Sequence, residues 1–150
     1  MTTLKEQLYQ LCIDYVSKRE AEIKRAILEV RESANNETKS SAGDKYETSR
    51  EVMQQEENMN MARLNELNKL RATLEQISPT QKGDSVVPGS LVYTNNGNFY
   101  ISISAGQLKV YGVTYYAISA VSPVGIKLMG QKVGGSFDLN GKGYVVEKVV

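Results

Sequence analysis

The 150-residue chain contains no histidine, no tryptophan and a single cysteine, Cys12. Because histidine is the side chain that ordinarily titrates near neutral pH, its absence excludes Ser-His-Asp and Cys-His catalytic sets. One cysteine without histidine also excludes zinc fingers and zinc-hydrolase sites, which need three or four nitrogen or sulfur ligands. An intrachain disulfide is impossible, and we expect a buried, reduced thiol. Any chemistry must therefore use carboxylates, lysines, hydroxyls or a metal supplied by another molecule.

Long apolar segments and a large net charge are also missing. The longest uncharged run, residues 85–108, is interrupted by Pro88 and Gly97, so it does not predict a transmembrane helix. The N-terminal segment carries Lys5 and Glu6, so it lacks the apolar core of a signal peptide. A net charge of +1 gives no whole-chain argument for binding nucleic acid or a membrane. We therefore expect a cytoplasmic protein that does not associate with membranes.

The composition changes near residue 82. Up to that point lie 13 of the 18 basic and 14 of the 17 acidic residues, whereas 11 of the 12 glycines follow it. All three prolines lie at or after Pro79. The charged first part is compatible with helices, and the glycine-rich second part with turns between strands. We predict an antiparallel coiled-coil hairpin over 1–78, a linker over 79–84 and a C-terminal domain over 85–150.

Apolar residues in the first part recur at the spacing of one helix face. They are Leu4, Leu8, Leu11, Tyr15, Ile23, Ala26, Ile27 and Val30 in one run and Met53, Leu64, Leu67, Leu70, Leu74 and Ile77 in a second. A polar segment at 33–43 separates the runs, which predicts a hairpin with its tip near 33–47. Neither stripe can be buried alone, so two helices packed together are favoured. On periodicity alone, a plain coiled coil that dimerises is the favoured interpretation.

The second part predicts short strands joined by turns. Strand-like runs lie at 91–93, 99–103, 107–111, 113–118, 136–139 and 144–149, with turns at Asn95–Asn98 and Asn140–Gly141. Ser122 followed by Pro123, with Gly130 beyond, predicts one short helix with a serine N-cap. The fold class is therefore α+β, with an N-terminal helical hairpin followed by a small antiparallel sheet domain and one short helix.

Two segments resemble the Gre family of bacterial transcript-cleavage factors. The stretch ISAVSPVGIKLMGQKVG, residues 118–134, is similar to the C-terminal Gre pattern I-S-x-x-S-P-[IL]-[GA]-x-x-[LI]-[LIM]-G-K-x-x-G-D. The stretch GDKYE, residues 43–47, resembles the Gly-Asp-x-x-Glu of the Gre coiled-coil tip. The order and approximate spacing of both segments agree with the family. The chain is therefore similar to a Gre factor over most of its length.

This resemblance implies an FKBP-like C-terminal domain that docks on RNA polymerase at its secondary channel, while the hairpin reaches inward. It implies that Asp44 and Glu47 are the catalytic and metal-assisting pair, which helps to hold a Mg²⁺ ion of the polymerase active site. No metal is expected on the chain alone, and the nascent RNA 3′ end is contacted only indirectly. Lys45 and Tyr46 are the implied tip contacts. The implied polymerase-binding residues are Ser119, Ser122, Pro123, Val124, Gly125, Lys127, Leu128, Met129 and Gly130.

Other interpretations stay open at this point. Asp44 and Glu47 also form the Asp-x-x-Glu pattern of a capping box, which stabilises a helix N-terminus. The chain departs from the family in the added polar stretch after Glu32 and in Gln131, where the family has lysine. A regulator that occupies the same channel without promoting cleavage is therefore an alternative. A peptidyl-prolyl isomerase is disfavoured because the chain lacks tryptophan, and a dimerisation module because an intramolecular hairpin predicts a monomer. In the Gre interpretation the chain is not itself an enzyme.

Overall fold

The fold is a helical hairpin followed by a six-stranded sheet with one short helix. The computed structural model describes the backbone of residues 3–40 and 44–150, and the side chains of residues 3–33 and 50–150. In chain order the elements are α1 (Leu4–Ser40), α2 (Asp44–Glu75), β1 (Leu91–Thr94), β2 (Gly97–Ser102), β3 (Gly106–Val110), β4 (Val113–Ser119), α3 (Pro123–Leu128), β5 (Ser136–Leu139) and β6 (Lys142–Val149). The predicted α+β fold class is confirmed.

Helix α1 is longer than the sequence predicts. Its first turn is capped by Thr3, whose Oγ1 accepts the backbone N–H of Glu6 at 3.2 Å. The helix then continues to Ser40, so it includes residues 33–40 of the segment 33–43 that the sequence assigns to a polar tip. Asparagine, serine and threonine cost at most about 0.7 kcal/mol each relative to alanine in a helix, so polar residues alone do not end one. Gly43, the first residue of the predicted tip motif, lies outside the described residues.

The sheet has the strand order β3-β4-β2-β1-β6-β5. Its neighbours pair antiparallel except β2 and β4, which are parallel with Phe99 opposite Tyr116. The exception arises because β3 and β4 form a hairpin whose second strand, rather than its first, lies beside β2. Sequence patterning predicts the hairpin but cannot tell which of its strands lies inside the sheet. The predicted antiparallel sheet is therefore corrected at this one pair.

Two hairpin turns use left-handed backbone at both central residues. Tyr111 and Gly112 have φ of 51° and 78° between β3 and β4, and Asn140 and Gly141 have 52° and 79° between β5 and β6. This is the geometry of tight turns that match the twist of the flanking strands. The turn predicted at Asn140–Gly141 is confirmed. Tyr111 is an uncommon residue at such a position, and its side chain is almost fully exposed.

Both faces of the sheet are covered near β2. On one face Phe99 and Ile101 pack in a buried cluster that includes Leu128 of α3. Side chains alternate along a strand, so Tyr100 and Ser102 belong to the other face. There the hydroxyl of Ser102 lies 3.4 Å from the Cys12 sulfur of α1. These contacts bury Tyr100, Ile101 and Cys12 completely.

Contacts divide the chain into two units. One unit, which we call the sheet unit, joins Met1–Tyr15 to Arg71–Val150; the other, the helical unit, comprises Val16–Leu70. Within the sheet unit the Tyr9 hydroxyl donates to the Leu74 carbonyl at 2.8 Å, so the start of α1 meets the end of α2. The domain boundaries of 1–78 and 85–150 stay a prediction. No helix in the described part of the chain has the length and apolar character needed to cross a bilayer.

Candidate functional site

The predicted tip carboxylates lie at the start of α2. The helix begins at Asp44, so Glu47 is three residues further along the same first turn. Residues three apart on a helix lie on one face. The backbone therefore meets the condition under which both carboxylates can serve a single ion. The side chains of Asp44, Lys45, Tyr46 and Glu47 lie outside the described set, and their roles stay predictions.

Two carboxylates can provide only part of a magnesium site. Mg²⁺ prefers six oxygen ligands in octahedral geometry and is commonly held by one or two carboxylates with waters and phosphate oxygens. Among residues whose side chains are described, no group of three or more acidic or cysteine side chains is placed to hold a metal. The donor set at Asp44 and Glu47 thus fits a Mg²⁺ ion only where another molecule supplies most of the ligands.

The second predicted site surrounds α3, whose start is fixed by Ser122. The Ser122 backbone is extended, and its Oγ accepts the N–H of Gly125 at 3.1 Å. The same hydroxyl donates to the carbonyl of Ser119 at 2.7 Å. The serine thus satisfies one of the free N–H groups of the first turn and ties the helix to the end of β4. The predicted serine cap with proline in the first turn is confirmed.

Only glycine fits at position 125, because the backbone at the end of β4 lies very close to it. A Cβ placed there would lie 2.1 Å from the Ser119 carbonyl oxygen and 2.8 Å from Ser122 Oγ. No other residue type fits without moving α3 away from β4. Ser119, Ser122 and Gly125 therefore shape the segment, and any effect on a partner is exerted through the position of α3.

The remaining predicted docking residues differ in exposure. Leu128 is fully buried in the core, and Val124 and Met129 are partly buried against it. Pro123, Lys127 and Gly130 are exposed. These last three are the most accessible, while Leu128, Val124 and Met129 pack α3 on the sheet. All of them stay predictions as polymerase contacts.

Sequence reasoning missed three exposed apolar side chains in this segment. Val121, Ile126 and Val133 are 80%, 61% and 62% exposed. The exposure of Ile126 was predictable from the sequence, because Val124 and Leu128 are four residues apart and share the buried face of α3. Ile126 lies midway between them and must therefore face away.

Comparison with known proteins finds similarity to solved structures. No protein-family model matches the chain, and no curated protein sequence matches it significantly. The chain is similar to the crystal structure of GreA factor homolog 1 (Gfh1) of Thermus thermophilus. The two chains are 23% identical over 97% of this chain and 94% of the other, with a TM-score of 0.33.

Proposed function

We propose that this protein is a Gre-like transcription elongation factor that binds RNA polymerase at the secondary channel and promotes cleavage of backtracked RNA. The observation that supports the proposal is the start of α2 at Asp44, because residues 44 and 47 of the Gly-Asp-x-x-Glu pattern then belong to the first turn of the second hairpin helix. The motif-bearing helix α3 on the sheet supports it independently, since its residues match the other Gre-like segment. The cleavage chemistry belongs to the polymerase, so the chain is its cofactor rather than an enzyme.

The proposed role of Asp44 and Glu47 is to donate oxygens to a metal that the polymerase also binds. A second Mg²⁺ ion in such a site activates water and stabilises the leaving oxygen of the RNA phosphate. The chain itself contributes two carboxylates, which are three residues apart in the sequence, and the helix on which both residues lie. Lys45 and Tyr46 lie between them in the sequence and are proposed to contact the polymerase or its RNA.

The proposed docking surface is the exposed side of the α3 segment. Val121 and Ile126 offer apolar contact area; the exposed Pro123 lies between them in the sequence, and the exposed Lys127 follows Ile126. Apolar side chains that leave water on binding supply most of the energy of such contacts, whereas exposed charges mainly set orientation and rate. We therefore expect Ile126 to affect affinity more than Lys127.

The experiment is a transcript-cleavage assay with a halted elongation complex of the cognate polymerase. We expect the native chain to accelerate release of RNA 3′ fragments, and Asp44→Asn combined with Glu47→Gln to abolish most of that acceleration. A matched control is Glu51→Gln combined with Glu56→Gln, which removes two carboxylates further along α2. That control should retain cleavage. Equal activity of the tip variant and the native chain would disprove the carboxylate mechanism.

A binding measurement separates docking from catalysis. Ile126→Ser should weaken polymerase binding, whereas the tip variant should bind as the native chain does. Leu28→Ser is a suitable control because Leu28 is a similarly exposed apolar residue (58%) on α1. If Ile126→Ser binds normally, the docking surface lies elsewhere on the chain.

A second candidate is a non-cleaving regulator of the same channel. The continuation of α1 to Ser40 favours it, because the helix extends through the polar stretch that distinguishes this chain from the family pattern. This candidate predicts polymerase binding with altered initiation or pausing and no shortening of the transcript. The cleavage assay above distinguishes the two.

A further inference from the structure

The sheet unit contains a cavity that the proposed polymerase role does not use. Its volume is about 560 Å³, within the range of pockets that hold small molecules. The start of α1, the segment 79–82 and strands β1 and β6 form its walls. All of these belong to the unit that joins Met1–Tyr15 to Arg71–Val150.

One part of the wall is apolar and aromatic. Leu4, Pro79 and Leu91 line it together with Tyr93. Burial, reinforced by the neighbouring Tyr115, raises the pKa of Tyr93 to about 12. The phenol is therefore neutral at physiological pH and adds no negative charge. This part of the cavity suits the carbon skeleton of an organic molecule rather than a hydrated inorganic ion.

The other part of the wall is positively charged. Lys5, Lys82 and Lys148 all line the cavity, and among the described lining residues Glu6 has the one acidic side chain. The Lys148 ammonium is held 5.6 Å from the centre of the Tyr93 ring by a cation–π contact. In the described part of the chain, no Asp or Glu carboxylate forms an ion pair with any of the three lysines.

Lys5 is the most constrained of the three. Its side chain is 94% buried, and its ammonium donates to the main-chain oxygens of Gln81 and Val150, the second at 3.1 Å. Burial lowers the pKa of Lys5 because the charged form loses its hydration. A buried ammonium that has lost its hydration gains from an anion placed beside it, in addition to its two main-chain acceptors.

We propose that this cavity binds a small organic anion, whose carboxylate or phosphate group pairs with Lys148 and Lys5 while its apolar body lies against Leu91 and Pro79. The site is separate from the tip carboxylates and from α3. It stands whether or not the chain acts on RNA polymerase. Two sources have this chemistry, a nucleoside monophosphate and an aromatic carboxylate.

Isothermal titration calorimetry of the full chain tests the proposal with four probes. Adenosine 5′-monophosphate and salicylate represent the two sources, and adenosine and inorganic phosphate are the separate halves of the first. We expect one-to-one binding of at least one of the two organic anions. Adenosine and phosphate should each bind at least tenfold more weakly than the organic anion that binds. Saturation by neither organic anion, or equal binding of phosphate alone, would overturn the proposal.

Matched lysine variants test the location. Lys148→Ala should weaken binding of the anion by about fivefold or more, as expected for the loss of one charge-assisted contact. Lys142→Ala is the control, because Lys142 is an exposed lysine on the same strand that does not line the cavity. Thr80→Trp, at an exposed residue of the wall, should block the cavity and abolish binding while the thermal midpoint stays near that of the native chain. Equal affinities of Lys148→Ala and Lys142→Ala would show that the anion binds elsewhere.

Discussion

The sheet unit and the helical unit differ in where they place apolar side chains. In the sheet unit, strand β2 alone buries Phe99, Tyr100 and Ile101. In the described part of the helical unit, the buried apolar side chains are Val16 and Leu67, while Leu28, Val52, Met59 and Met61 are at least half exposed. Buried apolar area is the main favourable term in folding. The sheet unit therefore carries most of the stability, and the helical unit is free to vary its surface.

The polar contacts of the two units also differ. In the helical unit they are exposed ion pairs, such as Glu20 with Lys24 at 2.8 Å and Arg31 with Glu57 at 3.7 Å. Such pairs contribute about 0–1 kcal/mol each. The sheet unit also has an exposed ion pair, between Lys132 and Asp84, but it adds the hydrogen bonds of Ser122 that cap α3.

The largest expected effect contrasts one buried with one exposed aliphatic residue. Ile101→Ala removes a fully buried side chain from the sheet unit and should lower the free energy of unfolding by about 3–4 kcal/mol. Leu28→Ala in the helical unit removes a side chain that is 58% exposed and should change it by no more than about 0.5 kcal/mol. Urea unfolding followed by circular dichroism measures both. A comparable loss for Leu28→Ala would mean that another molecule covers the helical unit.

A second prediction concerns the close approach at α3. Gly125→Ala places a Cβ 2.1 Å from the Ser119 carbonyl oxygen, so the helix must move, at a cost of about 3 kcal/mol. Gly83→Ala is the control, because a Cβ there meets no atom within 4 Å. Thermal unfolding should separate the two variants clearly. If Gly125→Ala is as stable as Gly83→Ala, α3 is held less tightly than the cap geometry indicates.

The cap itself is expected to have a smaller effect. Ser122→Ala removes the acceptor for the Gly125 N–H and should cost about 1 kcal/mol. Ser122→Thr keeps the hydroxyl and should recover most of that loss. Amide hydrogen exchange at Gly125 gives a local measurement, with faster exchange expected in the alanine variant only. Unchanged exchange in Ser122→Ala would show that the first turn of α3 does not depend on its cap.

Most of the helices, strands and turns were predictable from local sequence patterns. The serine-proline start of α3, the Asn140–Gly141 turn and the strands follow from spacing and turn chemistry within a few residues. The parallel pairing of β2 with β4 was not predictable, because it depends on which strand of a hairpin turns inward. The end of α1 was also missed, since a polar segment does not by itself terminate a helix.

The candidate sites also divide into those that local sequence predicts and one that depends on the fold. The positions of Asp44 and Glu47 at a helix start follow from the motif and agree with the backbone. The exposure of Ile126 could have been predicted from the helical period of Val124 and Leu128. The lysine-lined cavity could not, because Lys5 and Lys148 are 143 positions apart and meet only through the fold. Sequence reasoning therefore reached the motif-based sites and missed the one that depends on tertiary structure.

The smallest expected effect at neutral pH concerns the interior of the sheet unit. The Tyr100 hydroxyl is buried and has no hydrogen-bond partner among the described residues. A buried polar group without a partner costs free energy, so Tyr100→Phe should leave stability unchanged or raise it by up to about 1 kcal/mol at pH 7. A loss of stability would instead reveal a partner for the hydroxyl.

Alkaline pH should enlarge the difference in stability between the native chain and Tyr100→Phe. Burial, with smaller contributions from nearby Cys12 and Tyr9, raises the pKa of Tyr100 well above its ordinary value of 10. Above pH 10 the unfolded chain releases this proton while the folded chain keeps it, so the phenol makes stability fall as pH rises. Lys5 acts with the opposite sign, because its lowered pKa makes stability rise as pH approaches 10.5.

The native chain and Tyr100→Phe both retain Lys5 and Tyr93, so the native stability curve minus the Tyr100→Phe curve isolates Tyr100. Urea midpoints between pH 8 and about 11 should show the native chain losing stability faster than Tyr100→Phe. Parallel curves would mean that water reaches the Tyr100 hydroxyl, and the sheet unit would then be less tightly closed than its burial indicates.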